Sequence, residues 1–234
     1  MPADDFVFPP APQASLAVQG TDARFPMRRI FCVGRNYEAH AREMGKDPTR
    51  EAPFFFTKPA DAALDTPCTI PYPPQTEDLH HEIELVIAIG KGGRNIAEAD
   101  VMDHVWGASV GIDLTRRDLQ AEAKKAGRPW DWGKAFDNSA PIAALKPIAD
   151  VPSVEQGRIW LAVNGKVRQD ADLADLIWSV REHVAILSQS MALAPGDIIM
   201  TGTPSGVAAL VEGDVVTGGV DGIATLEVTI GPRA

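Results

Sequence analysis

His80-His81-Glu82-Ile83-Glu84-Leu85-Val86-Ile87-Ala88-Ile89-Gly90 reads as a β-strand of branched apolar residues with two carboxylates at its start. Side chains along a strand alternate between faces with a period of two, so Glu82 and Glu84 share a face. Two like charges side by side repel, and on an apolar strand they also need solvation. A cation between them removes both problems. A solvated strand edge carrying two glutamates satisfies the same pattern, so the pair alone leaves both readings open.

Working outward, the next strand, Trp106–Ile112, ends at Asp113. Thr115-Arg116-Arg117-Asp118 then resembles a capping box that starts a helix through Leu119, Gln120 and Ala123. Asp113 therefore sits at a strand-to-helix junction, where rigid flanks fix a side chain, although such carboxylates are often simple caps. With Glu82 and Glu84 it completes a set of three oxygen ligands. That is hard-cation chemistry, suited to Mg2+ or Mn2+ and admitting Ca2+.

The rest of the chain is punctuated by turns. Gly 20 and Pro 19 among 234 residues, with 45% hydrophobic residues, describe a globular domain rich in turns rather than a helical bundle. Residues 1–27 read as an arm or short lead-in strand, followed by a strand over Met27–Val33 closed by Gly34. Asn36 is placed to cap a short helix from Tyr37 to Met44 that puts His40 and Glu43 on one face. A carboxylate there orients an imidazole as a general base requires, and an ordinary surface pair has the same spacing. Phe54-Phe55-Phe56-Thr57-Lys58 is an aromatic strand whose lysine is either an exposed strand end or a pocket cation.

Asn95 to about His104 has a helix-cap signature, and 127–134 reads as a polar glycine-rich loop that delivers Lys134. Asn164-Gly165 predicts a hairpin between Gly157–Val163 and a strand near Val167. Asp172 precedes an amphipathic helix with Leu176, Ile177, Val180, Val184, Leu187 and Met191 as its apolar stripe, and His183 reads as a packed or rim histidine. After a strand over Ile198–Thr201, the loop Gly202-Thr203-Pro204-Ser205-Gly206-Val207 offers backbone N–H groups suited to a carboxylate. Strands over Val215–Thr217 and Ile223–Ile230 complete the chain. Few helices beside many short strands, with no internal linker, argue for an α+β, mainly-β roll rather than a doubly wound sheet.

A net charge of -10 and a pI of about 4.9 disfavour nucleic acid and anionic membrane as partners, while leaving room for a local basic pocket. There is neither a phosphate loop nor a dinucleotide fingerprint. No run approaches the ~18 apolar residues of a membrane span. The start of the chain carries no signal-peptide pattern. Cys32 and Cys68 read as reduced structural thiols of a cytoplasmic protein.

Taken in order, Val33-Gly34-Arg35-Asn36-Tyr37 with His40 and Glu43, Phe56-Thr57-Lys58-Pro59, His81-Glu82-Ile83-Glu84, Gly111-Ile112-Asp113, Arg117-Asp118-Leu119-Gln120, Lys134-Ala135-Phe136-Asp137 and Thr201-Gly202-Thr203-Pro204-Ser205-Gly206-Val207 resemble the fumarylacetoacetate hydrolase family, and most closely its short acylpyruvate hydrolases. The resemblance covers about residues 28 to 230 and makes 28–234 the catalytic domain. It implies a β-roll with flanking helices, usually a homodimer. It also implies Glu82, Glu84 and Asp113 as metal ligands, and His40 with Glu43 as a catalytic dyad on a lid helix. Arg117, Gln120, Lys134 and Thr203 would surround a 2,4-dioxo acid, with Arg117 and Gln120 fixing its distal acyl or carboxylate end. The implied reaction is hydrolysis of fumarylpyruvate to fumarate and pyruvate. Oxaloacetate decarboxylation and dienoate isomerisation use the same cradle, and a non-enzymatic binding module holding a structural cation is the competing class.

Overall fold

The computed structural model describes residues 6–39 and 51–233. Among them the α+β, mainly-β expectation holds: two large sheets enclose a shared core, with short helices at their flanks. The apolar run becomes the strand Ile83–Ile89, buried along its whole length. Burial on both faces demands a continuous apolar run, so charge is confined to its start. The strand pairs antiparallel with Val105–Ile112 on one side and Asp197–Met200 on the other. These three occupy the middle of an eight-stranded mixed sheet. Arg29–Gly34 and Phe54–Lys58 extend it beyond Asp197–Met200, and Ala140–Ile142 and Ala63–Asp65 extend it the other way.

The second sheet runs in the order Lys166–Asp172, Arg158–Val163, Val215–Val220, Ala224–Arg233, Cys68–Tyr72. The expected hairpin opens it, with Asn164 and Gly165 at φ 50 and 74, the left-handed pair a tight two-residue turn needs. Leu85 and Ile87 of the first sheet join Leu161, Val216 and Val228 of the second in one apolar cluster. Each buried Leu, Ile or Val contributes roughly 1.5–3 kcal/mol relative to exposure, so this seam dominates the stability. Residues 15–26 form a hairpin whose Leu16, Val18 and Phe25 pack with Ile30, Ile198 and Met200 in a second cluster.

Several local expectations are corrected. Thr115–Arg116 is a short strand rather than a helix start; Thr115 Oγ1 donates to Asp113 O, and the α-helix spans Arg117–Ala126, closed by left-handed Gly127. Asp118, not Thr115, serves the first turn, accepting from Leu119 N and also from Thr76 Oγ1. The Asn95 cap does not form: that residue adopts φ 52, and a 3-10 helix spans Glu98–Asp103. Loop 127–134 contains a helical turn, Asp131–Lys134. Asp172 caps only the 3-10 turn Leu173–Asp175, and the α-helix is Val180–Ser190 under a Ser179/Glu182 capping box. Leu176 and Ile177 therefore precede that helix, and Met191 ends it exposed. Cys32 and Cys68 are free thiols, and among the described residues no helix is long and apolar enough to cross a membrane.

Candidate metal centre and acyl cleft

The antiparallel ladder builds the centre. Ile83 faces Ile112 and Glu84 faces Gly111, so the next step brings Asp113 opposite Glu82, with Asp113 N donating to Glu82 O at 2.8 Å. Glu82, Glu84 and Asp113 are all buried, and one carboxylate oxygen from each lies within 4.8 Å of the others. Of the two readings of the Glu82/Glu84 pair, the solvated edge is thereby excluded.

Each carboxylate is held differently. Glu84 Oε2 accepts from Gly202 N at 2.8 Å. The glycine loop thus does hold a carboxylate, the protein's own. Gly202 is required there: its φ is 99, and a Cβ would lie 2.6 Å from Asn36 Cβ. Glu82 binds Lys134 Nζ at 2.7 Å through Oε2 and the Arg117 guanidinium through Oε1. Lys134 Nζ also donates to Asp113 Oδ2 at 2.6 Å. Lys58, of the two readings the pocket cation, is buried beneath the centre. Its Nζ lies 2.9 Å from Asp113 Oδ1 without hydrogen-bond geometry, and donates to Leu114 O and Lys134 O.

Charge is unevenly balanced. Burial, then the Asp113 and Glu82 charges, push the Glu84 carboxyl well above its ordinary range; Lys134 and the Gly202 N–H only partly oppose this. Burial would lower Lys134, but Asp113 and Glu82 outweigh it and hold the ammonium above its ordinary value. Three buried hard oxygen donors, one of them (Asp113 Oδ1) accepting no hydrogen bond, and a Glu84 charge short of compensation fit a divalent cation such as Mg2+ or Mn2+.

Arg117 donates to Gln120 Oε1 at 2.7 Å as well as to Glu82, so the helix Arg117–Ala126 presents both residues to the metal end of the cleft. Lys134 reaches the same point from a turn whose Gly133 packs against Gln120, where a Cβ would sit 2.9 Å from Gln120 Cβ. Thr203 Oγ1 accepts from Gln169 Nε2 at 2.8 Å. The structure therefore brings together Glu82, Glu84, Asp113, Lys134, Arg117, Gln120 and Thr203 around one cleft. His40 and Glu43 lie outside the described residues.

Sequence reasoning missed Gln169. Its Oε1 accepts from His81 Nδ1 (2.9 Å) and Ile83 N (3.2 Å), and its Nε2 donates to Thr203 Oγ1 and Pro204 O. One buried amide from the second sheet thus fixes the residues on both sides of Glu82 and the loop beyond Glu84. Burial lowers His81 to about 4, so the ring is neutral, with Nδ1 donating to Gln169. Asn36 was expected only as a helix cap; its buried amide ties Trp178 N and O and Thr201 O together beside Gly202. Gln169 carries no motif signal, and Asn36, although inside the Val33–Tyr37 motif, gives no hint of this role, because an amide becomes informative only once its burial is known.

Comparison with known proteins agrees with this geometry. The family profile described as fumarylacetoacetate (FAA) hydrolase C-terminal matches residues 29–231. A fumarylpyruvate hydrolase of Ralstonia sp is 45% identical over 186 residues, covering 80% of this chain and 96% of that protein. The mitochondrial oxaloacetate tautomerase FAHD1 of Bos taurus is 39% identical, covering 86% and 90%. The crystal structure of fumarylpyruvate hydrolase from Pseudomonas aeruginosa in complex with Mn2+ and pyruvate is 49% identical and superposes with a TM-score of 0.95, covering 98% of this chain and all of that one. The chain belongs to the fumarylacetoacetate hydrolase family.

Proposed function

We propose that the protein hydrolyses the carbon–carbon bond of an acylpyruvate, with fumarylpyruvate cleaved to fumarate and pyruvate. The observation that carries this reading is the buried Glu82/Glu84/Asp113 triad opening, with Lys134 beside it, onto one cleft. The high identity to proteins named fumarylpyruvate hydrolases supports the choice of acyl group.

Glu82, Glu84 and Asp113 would hold the divalent cation, Mg2+ or Mn2+, which when bound supplies Lewis acidity at the 2-oxo acid end of the substrate. In this reading His40, oriented by Glu43, takes a proton from water as the water oxygen bonds to carbon 4. The bond between carbons 3 and 4 then breaks, and its electron pair moves onto the oxo group at carbon 2. Lys134, charged and fixed by two carboxylates, lies where that negative charge grows, a preorganised electrostatic contact. Return of the proton from His40 to carbon 3 completes pyruvate, while the acyl carbon leaves as a carboxylic acid. Arg117, bound to Glu82, and Gln120, bound to Arg117, shape the metal end rather than the distal acyl end expected of them, and Thr203 lines the same cleft.

The same reading places the protein in the cytoplasm, as a homodimer, in aromatic-compound breakdown, with 28–234 as its catalytic domain. The test is a metal-reconstituted assay of fumarylpyruvate, acetylpyruvate, maleylpyruvate and oxaloacetate. Loss of 2,4-dioxo acid absorbance with stoichiometric pyruvate is expected, and turnover of oxaloacetate alone refutes the assignment. His40→Ala should abolish hydrolysis while leaving Mn2+ affinity intact.

A further inference from the structure

The cleft has a positive end that the chemistry above does not use. Arg117, Gln120 and Lys124 stand at i, i+3 and i+7 on the helix Arg117–Ala126, hence on one face. Arg117 is engaged at the metal end, whereas Lys124 lies two turns further out, about 10 Å along the axis at 1.5 Å per residue. Arg35 lines the same cleft from the end of the strand Arg29–Gly34 and adopts φ 55, a left-handed conformation unusual for a side-chain-bearing residue. Such local strain persists where surrounding structure enforces it, often at ligand sites.

An aromatic ring packs against each of these two cations. The Arg35 guanidinium lies 5.3 Å from the centroid of Phe54, and Lys124 Nζ lies 4.8 Å from that of Trp130. Phe54 and Trp130 meet edge to face at 5.3 Å, so two touching rings each carry one of the cations. Among the described residues neither cation has a carboxylate at ion-pair distance. Loss of hydration and the charges of Arg117, Arg35 and Lys134 lower Lys124 to about 8, with Glu82 opposing. Within a chain of net charge -10, the described residues lining this cleft set four cations (Arg35, Arg117, Lys124, Lys134) against three carboxylates, before any metal is added.

We infer that Arg35 and Lys124 form a subsite for a second carboxylate at the far end of the acyl chain, so that the cleft selects 2-oxo acids with a terminal carboxylate over those ending in an alkyl group. The inference deepens the acylpyruvate reading and rests on it for which end of the ligand lies at the triad. An anion between the two cations relieves their mutual repulsion and gains charge-assisted hydrogen bonds. An alkyl terminus leaves both unpaired.

The test uses Mn2+-loaded protein and two ligands that lack the 4-oxo group and are not cleaved, 2-oxoheptanedioate and 2-oxoheptanoate, titrated calorimetrically. The dioate should bind about tenfold or more tightly than the monoate. Lys124→Met and Arg35→Gln should each remove most of that preference while leaving monoate affinity within about twofold. Equal affinities in the unsubstituted protein, or variants that lose both ligands alike, overturn the subsite. If the preference holds yet fumarylpyruvate is not hydrolysed, the proposed reaction fails and the subsite stands.

Discussion

Replacing Lys58 by methionine probes how the centre is supported from below. The ammonium is buried, lies 2.9 Å from a buried Asp113 oxygen, and donates to the carbonyls of Leu114 and Lys134. Methionine fills similar space but provides neither charge nor donors. Removing one partner of a buried ion pair costs about 3–5 kcal/mol. Asp113 retains Lys134, which favours the low end, while the Leu114 carbonyl, losing its Lys58 donor, adds about 1 kcal/mol or more; the Lys134 carbonyl keeps Ser139 Oγ. A net loss of about 3–5 kcal/mol results, or a fall in Tm of about 6–20 °C for a chain of this size. The assay is thermal unfolding of metal-free protein followed by circular dichroism in excess chelator. A variant melting within about 2 °C of the parent would refute the view that Lys58 neutralises the centre.

Other substitutions separate function from stability. Glu84→Gln should weaken Mn2+ binding about 100-fold or more in calorimetry, yet stabilise the metal-free protein at neutral pH, because the folded state raises the Glu84 pKa. The sign follows from that direction: the unsubstituted metal-free protein gains stability from Glu84 as pH falls through the raised folded value, and the difference from the variant should shrink accordingly. His183 is packed and buried, and burial lowers it from 6.5 to about 4 against the carbonyl of Trp178. The folded state resists protonation, so stability should be lost as pH falls from about 6.5 towards 4, by up to about 3 kcal/mol. Urea titrations of His183→Leu should lack that share of the slope. Gly202→Ala should cost about 1–3 kcal/mol from its positive φ alone, with further loss from the contact with Asn36, and should lower metal affinity through Glu84.

The central strand and the triad were legible because both follow from strand geometry: an apolar run fixed Ile83–Ile89, and an antiparallel ladder placed Asp113 against Glu82. The Asn164-Gly165 turn was legible for the same local reason. Helix starts were not. Thr115 and Asp172 carry cap chemistry, but tertiary contacts drew Thr115 into a strand with His80 and left Asp172 to a 3-10 turn. The far end of the cleft was illegible because Lys124 looks like any surface lysine until Trp130 and Arg35 fold beside it. Gln169 was hidden because it is the one buried residue of the strand Lys166–Asp172, set between exposed Arg168 and Asp170 in a polar stretch with no apolar alternation to mark an inward face.

That glutamine has a consequence for how the protein is made. Glu82, Glu84 and Asp113 all belong to the first half of the chain, but the amide that grips the residues flanking Glu82 is at position 169, and the N–H that holds Glu84 is at 202. A nascent chain emerging from the ribosome carries the acidic side chains long before it carries their clamps. Contacts this distant in sequence close late, after the entropy of long loops has been overcome. High-affinity metal uptake is therefore one of the last events of folding, and metal binding reports completion of the whole two-sheet structure.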